Sequence, residues 1–171
     1  MGILNAGMAY WQADTDGEPL IDATVGDLLD RSAAQFPTKD AIVYSCYPEL
    51  GEAFNVRWTY QEYHARVNAV AKGLLTLGLK KGEHIAIWAT NLPEWPLLFL
   101  AAVKVGLVVV SINPVLLATE VAYILRQGDV RALFLMDHIR DHDCLATIRS
   151  LVTPDDQNGM VKSDRLPLLT Y

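Results

Sequence analysis

The stretch Asn91–Pro114, NLPEWPLLFLAAVKVGLVVVSINP, decides how this chain folds. Its apolar core from Pro96 to Ile112 is shorter than the ~20 residues that a membrane-spanning helix needs, and Lys104 and Gly106 interrupt it. It reads instead as a helix followed by a strand. Glu94 and Pro96 open the helix, because a carboxylate complements the helix dipole there and a missing amide proton costs nothing in the first turn. Through Val105 the only interior charge is Lys104, so this helix must be covered on more than one side. Burying Leu97, Leu98, Phe99, Leu100 and Val103 contributes on the order of 10 kcal/mol before entropy is subtracted, at roughly 1.5 to 3 kcal/mol per large side chain. LVVVSI, Leu107 to Ile112, follows as a β-branched run of the kind found in parallel sheets covered on both faces. The stretch is expected to be a buried supporting wall.

The flanking sequence repeats the strand–helix alternation. HIAIWAT (His84–Thr90) precedes the stretch as a strand. A helix from about Thr119 to Gln127, stopped by Gly128, and a strand RALFLM (Arg131–Met136) follow it. Beyond these come a helix near Asp143–Leu151, a polar loop TPDDQNGMVKSD, and LPLLTY as the start of another strand. Three strands alternating with helices make a right-handed parallel sheet the economical topology.

Upstream, Thr24 and Asp27 form a capping box before a helix carrying Val25, Leu28, Leu29, Ala33 and Phe36, which Pro37 stops. DAIVYSCY and AFNVRW, separated by a Pro, Glu and Gly turn, read as a hairpin. A second capping box, Thr59 with Glu62, opens a helix with the stripe Tyr63, Val67, Val70, Leu74 and Leu77, ended by Gly78. The fold class is therefore α/β, a mainly parallel β-sheet with helices on both faces and a small N-terminal hairpin. Residues 1–20 are expected to be a flexible arm and 21–171 one α/β unit.

Composition narrows the function classes. A chain of 171 residues with 51% hydrophobic residues can fill one core. A formal charge of -6, with 14 scattered basic residues, excludes nucleic acid as a partner. Cys46 and Cys144 have no CxxC or framework spacing, so they read as core thiols in a reducing, cytoplasmic compartment, with peripheral membrane attachment left open. No basic residue precedes Arg31, which argues against a secretory signal or transit peptide, and Ala6 stands where myristoylation requires Ser or Thr.

Chemical motifs are scarce. Gly73 and Gly78 have the spacing of a phosphate-binding loop, but Leu79 stands in place of its Lys, and GLKKG (Gly78–Gly82) reads as a tight turn. His138 and His142 in DHIRDHDC are four residues apart, as metal ligands on one helix face would be. Ile139 occupies the place of a zinc protease's Glu, so a polar loop entering a helix is the stronger reading. Without GxSxG or GxGxxG, the motifs supply no catalytic centre and no metal site.

Three segments carry a family resemblance: TVGDLLDRSAAQFPTKDAIV (24–43), RWTYQEYHARVNAVAKGLLTLGLKKGEHIAIWATNLPEW (57–95) and AAVKVGLVVVSINPVLLATEVAYILRQGDVRALF (101–134). In their order and nearly ungapped spacing they resemble the N-terminal part of the AMP-forming acyl-CoA synthetases, the fatty-acyl and medium-chain branches above all. The resemblance implies a ligase in which a carboxylate attacks the α-phosphate of ATP, releasing pyrophosphate, and the CoA thiol then displaces AMP, with Mg2+ accompanying ATP. It implies that this chain is one subdomain of that fold, ending before the phosphate loop. The family's Ser/Thr/Gly-rich loop, aromatic-Thr-Glu segment, ribose-binding Asp and catalytic Lys are absent from these residues, so no cofactor is expected on this chain alone. Its expected partners are the rest of such an enzyme, a fatty or other carboxylic acid in the parent enzyme, or a second copy.

By the same resemblance, Asn91, Glu94 and Trp95 lie on a strand-to-helix loop where ligands of open α/β sheets gather, and they are the substrate-binding candidates. A structural role competes more strongly at each: Asn91 capping the helix, Glu94 on its dipole, Trp95 packing. The rival to the ligase reading is a non-catalytic interaction module that uses an open sheet edge or apolar face.

Overall fold

The computed structural model describes residues 17, 21–45, 55–155 and 160–171. The expected arm at 1–20, apart from Gly17, and the hairpin turn with Cys46 fall outside the described residues. Helix α1 spans Val25–Gln35 and helix α2 spans Tyr60–Thr76; both begin on the capping boxes read from the sequence. Between them, β1 (Asp40–Ser45) and β2 (Asn55–Thr59) pair antiparallel, confirming the hairpin.

Strand β3 (His84–Trp88) leads into α3 (Glu94–Lys104), β4 (Val108–Ile112), α4 (Ala118–Gln127) and β5 (Val130–Leu135). The three strands form one parallel sheet in the order β4-β3-β5, so the first strand in sequence lies at the centre. Period-two geometry then sends successive β3 side chains to opposite faces. Ile85 joins a core with Leu29 of α1, Val67 and Leu74 of α2 and Ala101 and Ala102 of α3; Ala86 and Trp88 join a second core with Val121 and Leu125 of α4. Helices therefore cover both faces, as the alternation of elements requires.

Three expectations about the opening stretch are corrected. Among the described residues β4 is paired on one side only, and Val108 is 45% exposed, so the Val-rich run is an edge strand rather than an interior one. Only Ala101 and Ala102 of α3 are buried, while Leu97 to Leu100 are half-buried. The small residues press the helix onto the sheet and the large ones project sideways, where the described residues cover them incompletely. Asn91 does not cap α3; its N-cap is Pro93, with no side-chain cap hydrogen bond.

Smaller corrections follow the same logic of packing over pattern. Val25, Leu28 and Phe36 recur at helical spacing but are exposed, because α1 buries Gly26, Leu29 and Ala33 instead. The DHIRDHDC segment makes a short ladder, β6 (His138–Ile139) with β7 (His142–Asp143), before helix α5 (Cys144–Arg149), so its histidines share no helix face. The expected loop after residue 152 contains paired strands β8 (Thr153–Asp155) and β9 (Met160–Lys162). LPLLTY does not form a regular strand. Its last residue nevertheless bonds β5 in a parallel pattern, Tyr171 N–H to the Arg131 carbonyl (3.2 Å) and Leu133 N–H to the Tyr171 carbonyl (2.8 Å).

Helices α1, α2 and α3 converge on Asp30. Its carboxylate accepts from Lys104 Nζ and lies 2.8 Å from His64 Nε2, and Asn68 Nδ2 is 3.1 Å from the same imidazole nitrogen. The Lys104 hydrogen bond, against some desolvation, holds the Asp30 pKa below its ordinary value. A carboxyl with a depressed folded-state pKa stabilises the native state above its unfolded pKa and loses that contribution as pH falls through the folded value. Asp30→Asn is expected to lower stability at pH 7 by about 1 kcal/mol, a charged hydrogen bond discounted for a half-exposed site. Urea melts of both proteins from pH 7 to below about 4 check the sign, since their stabilities must converge on acidification.

Candidate functional site

The chain leaves β3 for α3 on one face of the sheet and leaves β4 for α4 on the other. Loops that diverge to opposite faces open a crevice at the carboxyl ends of adjacent parallel strands. Two cavities occur there. The first, about 330 Å³, lies on the α2–α3 side, walled by Val70, Ile87, Leu98, Phe134 and Met136, with Trp95 at its side and Glu94 its one charged residue. The second, about 520 Å³, lies between the β3 and β4 ends and the β6–β7 ladder, bordered by Thr90, Pro114, Leu117, Arg140, Asp141 and His142. One cavity is apolar and the other carries ionisable groups.

The three residues expected from the sequence separate. Glu94 and Trp95 border the apolar cavity, whereas Asn91 faces a third hollow of about 390 Å³ against Ile42 and Tyr44 of β1. Leu92 and Trp95 line both, so the two hollows adjoin at these side chains. The plane of Trp95 is held by stacking on Phe99, one helical turn along α3, with centroids 5.6 Å apart. Glu94 is exposed in the first turn of α3, where a carboxylate suits the dipole.

The residues that sequence reading missed are Thr90, Met136 and Arg140, while His142, weighed there as a metal ligand, borders the second cavity instead. Thr90 N–H and its hydroxyl both donate to Met136 Sδ, at 3.4 and 3.2 Å, and Met136 N–H donates to the Trp88 carbonyl at 3.1 Å. The ends of β3 and β5 are thus tied together between the two cavities. His142 leans on Trp88 with ring centroids 5.7 Å apart, and its Nε2 is 3.2 Å from Thr147 Oγ1. Arg140 is exposed at the rim of the crevice, on a left-handed backbone (φ 54°). Position at the end of a predicted strand was the one signal in the sequence for Thr90 and Met136.

Burial withdraws two of the groups that could otherwise act as nucleophiles. Cys144 is buried, and desolvation raises its thiol pKa, so it is a poor nucleophile as well as a core residue. Tyr63 is likewise withdrawn, its pKa raised to about 12 by burial. His138 sits 3.6 Å from both Asp137 and Asp143, but no group of three metal-ligating side chains occurs among the described residues. The donor set does not fit Mg2+ with ATP phosphates, so no step through them is assigned to these residues. No helix among the described residues is long and apolar enough to cross a membrane.

Comparison with known proteins agrees with the fold. Residues 29–170 match the family model described as "AMP-binding enzyme". YngI of Bacillus subtilis (strain 168) is 39% identical over 153 residues, covering 88% of this chain and 26% of its own length. The rat medium-chain acyl-CoA ligase ACSF2, mitochondrial, is 33% identical over 167 residues, covering 96% of this chain and 26% of its own. Among solved structures, the anthranilate CoA ligase AuaEII in complex with anthranoyl-AMP superimposes with a TM-score of 0.65 at 26% identity, covering 86% of this chain and 24% of that one. The chain thus spans about a quarter of the length of these relatives. It belongs to the AMP-binding enzyme family, whose members similar to it are named acyl-CoA synthetases and ligases.

Proposed function

We propose that these residues form the supporting α/β layer of an AMP-forming acyl-CoA ligase, with the apolar cavity receiving part of a carboxylic acid's hydrocarbon chain. The observation that carries this reading is the pairing of an apolar cavity with an ionisable crevice on either side of one β3 loop. Glu94 at the first repels a carboxylate, so an acid enters with its chain inward and its head group away from Glu94. Arg140 at the second suits an anionic, phosphate-bearing substrate such as CoA. The parallel bridge from Tyr171 to β5 favours the remainder of such an enzyme as the partner of that sheet edge. Self-association is the competing use of an open edge, and the uncharged β4 edge Val108–Ile112 is the observation in its favour.

Octanoate is the probe for the apolar cavity. Calorimetric titration should show it binding the 171-residue chain, and Trp95→Ala should weaken that binding about tenfold, the loss of roughly 1.5 kcal/mol of buried aromatic surface. Octanoate affinity unchanged by Trp95→Ala would place the chain elsewhere. The same protein is expected to show no octanoate-dependent ATP–pyrophosphate exchange, since preorganised donors for phosphate oxygens are missing from its sequence. Exchange above background would refute that assignment of the catalytic groups.

A further inference from the structure

Met136 combines features that an ordinary packing methionine does not need. Its sulfur takes two hydrogen bonds from one residue, the backbone N–H and the hydroxyl of Thr90. Thioether sulfur is a weak acceptor, so a backbone donor at the head of a functional loop is left with a soft partner. The same residue is partly exposed and lines the apolar cavity, while Thr90 lines the crevice on the other side. Its backbone is pinned to Trp88, so the side chain alone is free to respond to chemistry at the sulfur.

We propose that Met136 is an oxidative modification site, at which conversion of the thioether to the sulfoxide by a peroxide closes the neighbouring cavity to apolar ligands. This rests on the reading of that cavity as an apolar-ligand site. A sulfur lone pair attacks one oxygen of hydrogen peroxide and the O–O bond breaks. The transferred oxygen loses its proton to the departing hydroxide, leaving sulfoxide and one water. The sulfur is oxidised by two electrons and the peroxide reduced by two. Thr90 stands ready for the product, because its two donors then face a strong S=O acceptor in place of a weak sulfur. The cost falls on the cavity. A flexible apolar wall becomes a polar, chiral one beside Ile87, Phe134 and Leu135.

The test treats the 171-residue chain with dilute hydrogen peroxide, maps sulfoxide by peptide mass spectrometry, and measures octanoate affinity and the Thr90 amide resonance before and after. Met136 is expected to oxidise no more slowly than Met160, the octanoate affinity to fall about tenfold, and the Thr90 amide to shift. Peroxide should leave the octanoate affinity of Met136→Leu where it stands before treatment, and Met136→Gln should bind octanoate weakly without treatment. Oxidation of Met160 with Met136 left intact overturns the proposal. So does a Met136 sulfoxide that leaves affinity unchanged. Should octanoate fail to bind even the untreated protein, the functional reading above is what fails. The Thr90 amide then decides the modification site, and a resonance unmoved by peroxide overturns it.

Discussion

Replacing Trp88 with alanine is expected to cost about 3 to 5 kcal/mol, enough to remove most of the stability of a domain this size. Trp88 is 0% exposed and heads the fully buried side chains by volume. It ends the central strand, packs with Ile112, Val121 and Cys144, and supports the His142 ring. Helices α4 and α5 are both held on that face by their own buried residues, which resists their collapse into the space it would leave. Trp88→Phe separates volume from polarity. The indole N–H is buried without a hydrogen-bond partner among the described residues, so its removal relieves a desolvated donor and offsets part of the lost volume. Denaturant midpoints should therefore fall in the order parent, Trp88→Phe, Trp88→Ala, with the phenylalanine change costing about 1 to 2 kcal/mol. Equal losses would mean that this face of the sheet is not tightly filled.

The next largest loss is expected at Gly106. This residue joins α3 to β4 with φ of 79°, and its carbonyl accepts from Gly82 N–H at 2.8 Å. A Cβ built there would lie 2.8 Å from Lys81 Cγ, closer than real Cβ contacts come. Alanine must bear the left-handed backbone, about 1 to 2 kcal/mol, and also displace the stem of Lys81, for a total of about 2 to 3 kcal/mol. Gly78 provides the comparison. Its φ of 85° is similar, but a Cβ there would meet nothing within 4 Å, so Gly78→Ala should show the backbone cost alone. Paired urea melts check the difference. If Gly78→Ala is as damaging as Gly106→Ala, then close approach of the Lys81 turn to α3 contributes nothing.

Elements governed by near neighbours were legible in the sequence. Both capping boxes form because Thr24 with Asp27, and Thr59 with Glu62, need only three residues of separation to satisfy each other's donors. The parallel sheet was legible too, since strand–helix alternation leaves few other chain paths. Harder were the faces. The pattern of α1 offered Val25, Leu28 and Leu29 equally, and only the positions of α2 and α3 determined that Leu29 faces inward. The candidate site divided in the same way. Position after a parallel strand was enough to mark Asn91, Glu94 and Trp95, but periodicity carries no information on which cavity each side chain borders. The Thr90–Met136 link spans 46 residues, so no local rule could have paired them.

By itself, then, the amino-acid order determined the succession of main elements from α1 to β5, the capping of α1 and α2, and the family to which the chain belongs. These depend on steric preference, capping and hydrophobic period, all of which act over a few residues. Tertiary structure alone decided that β3 is central and β4 an edge, and that Leu92 and Trp95 border two adjoining hollows. It alone brought Asp30, His64 and Lys104 to one point. Such facts arise when chain segments distant in sequence compete for the same neighbours, and that competition is resolved only when all of them pack at once.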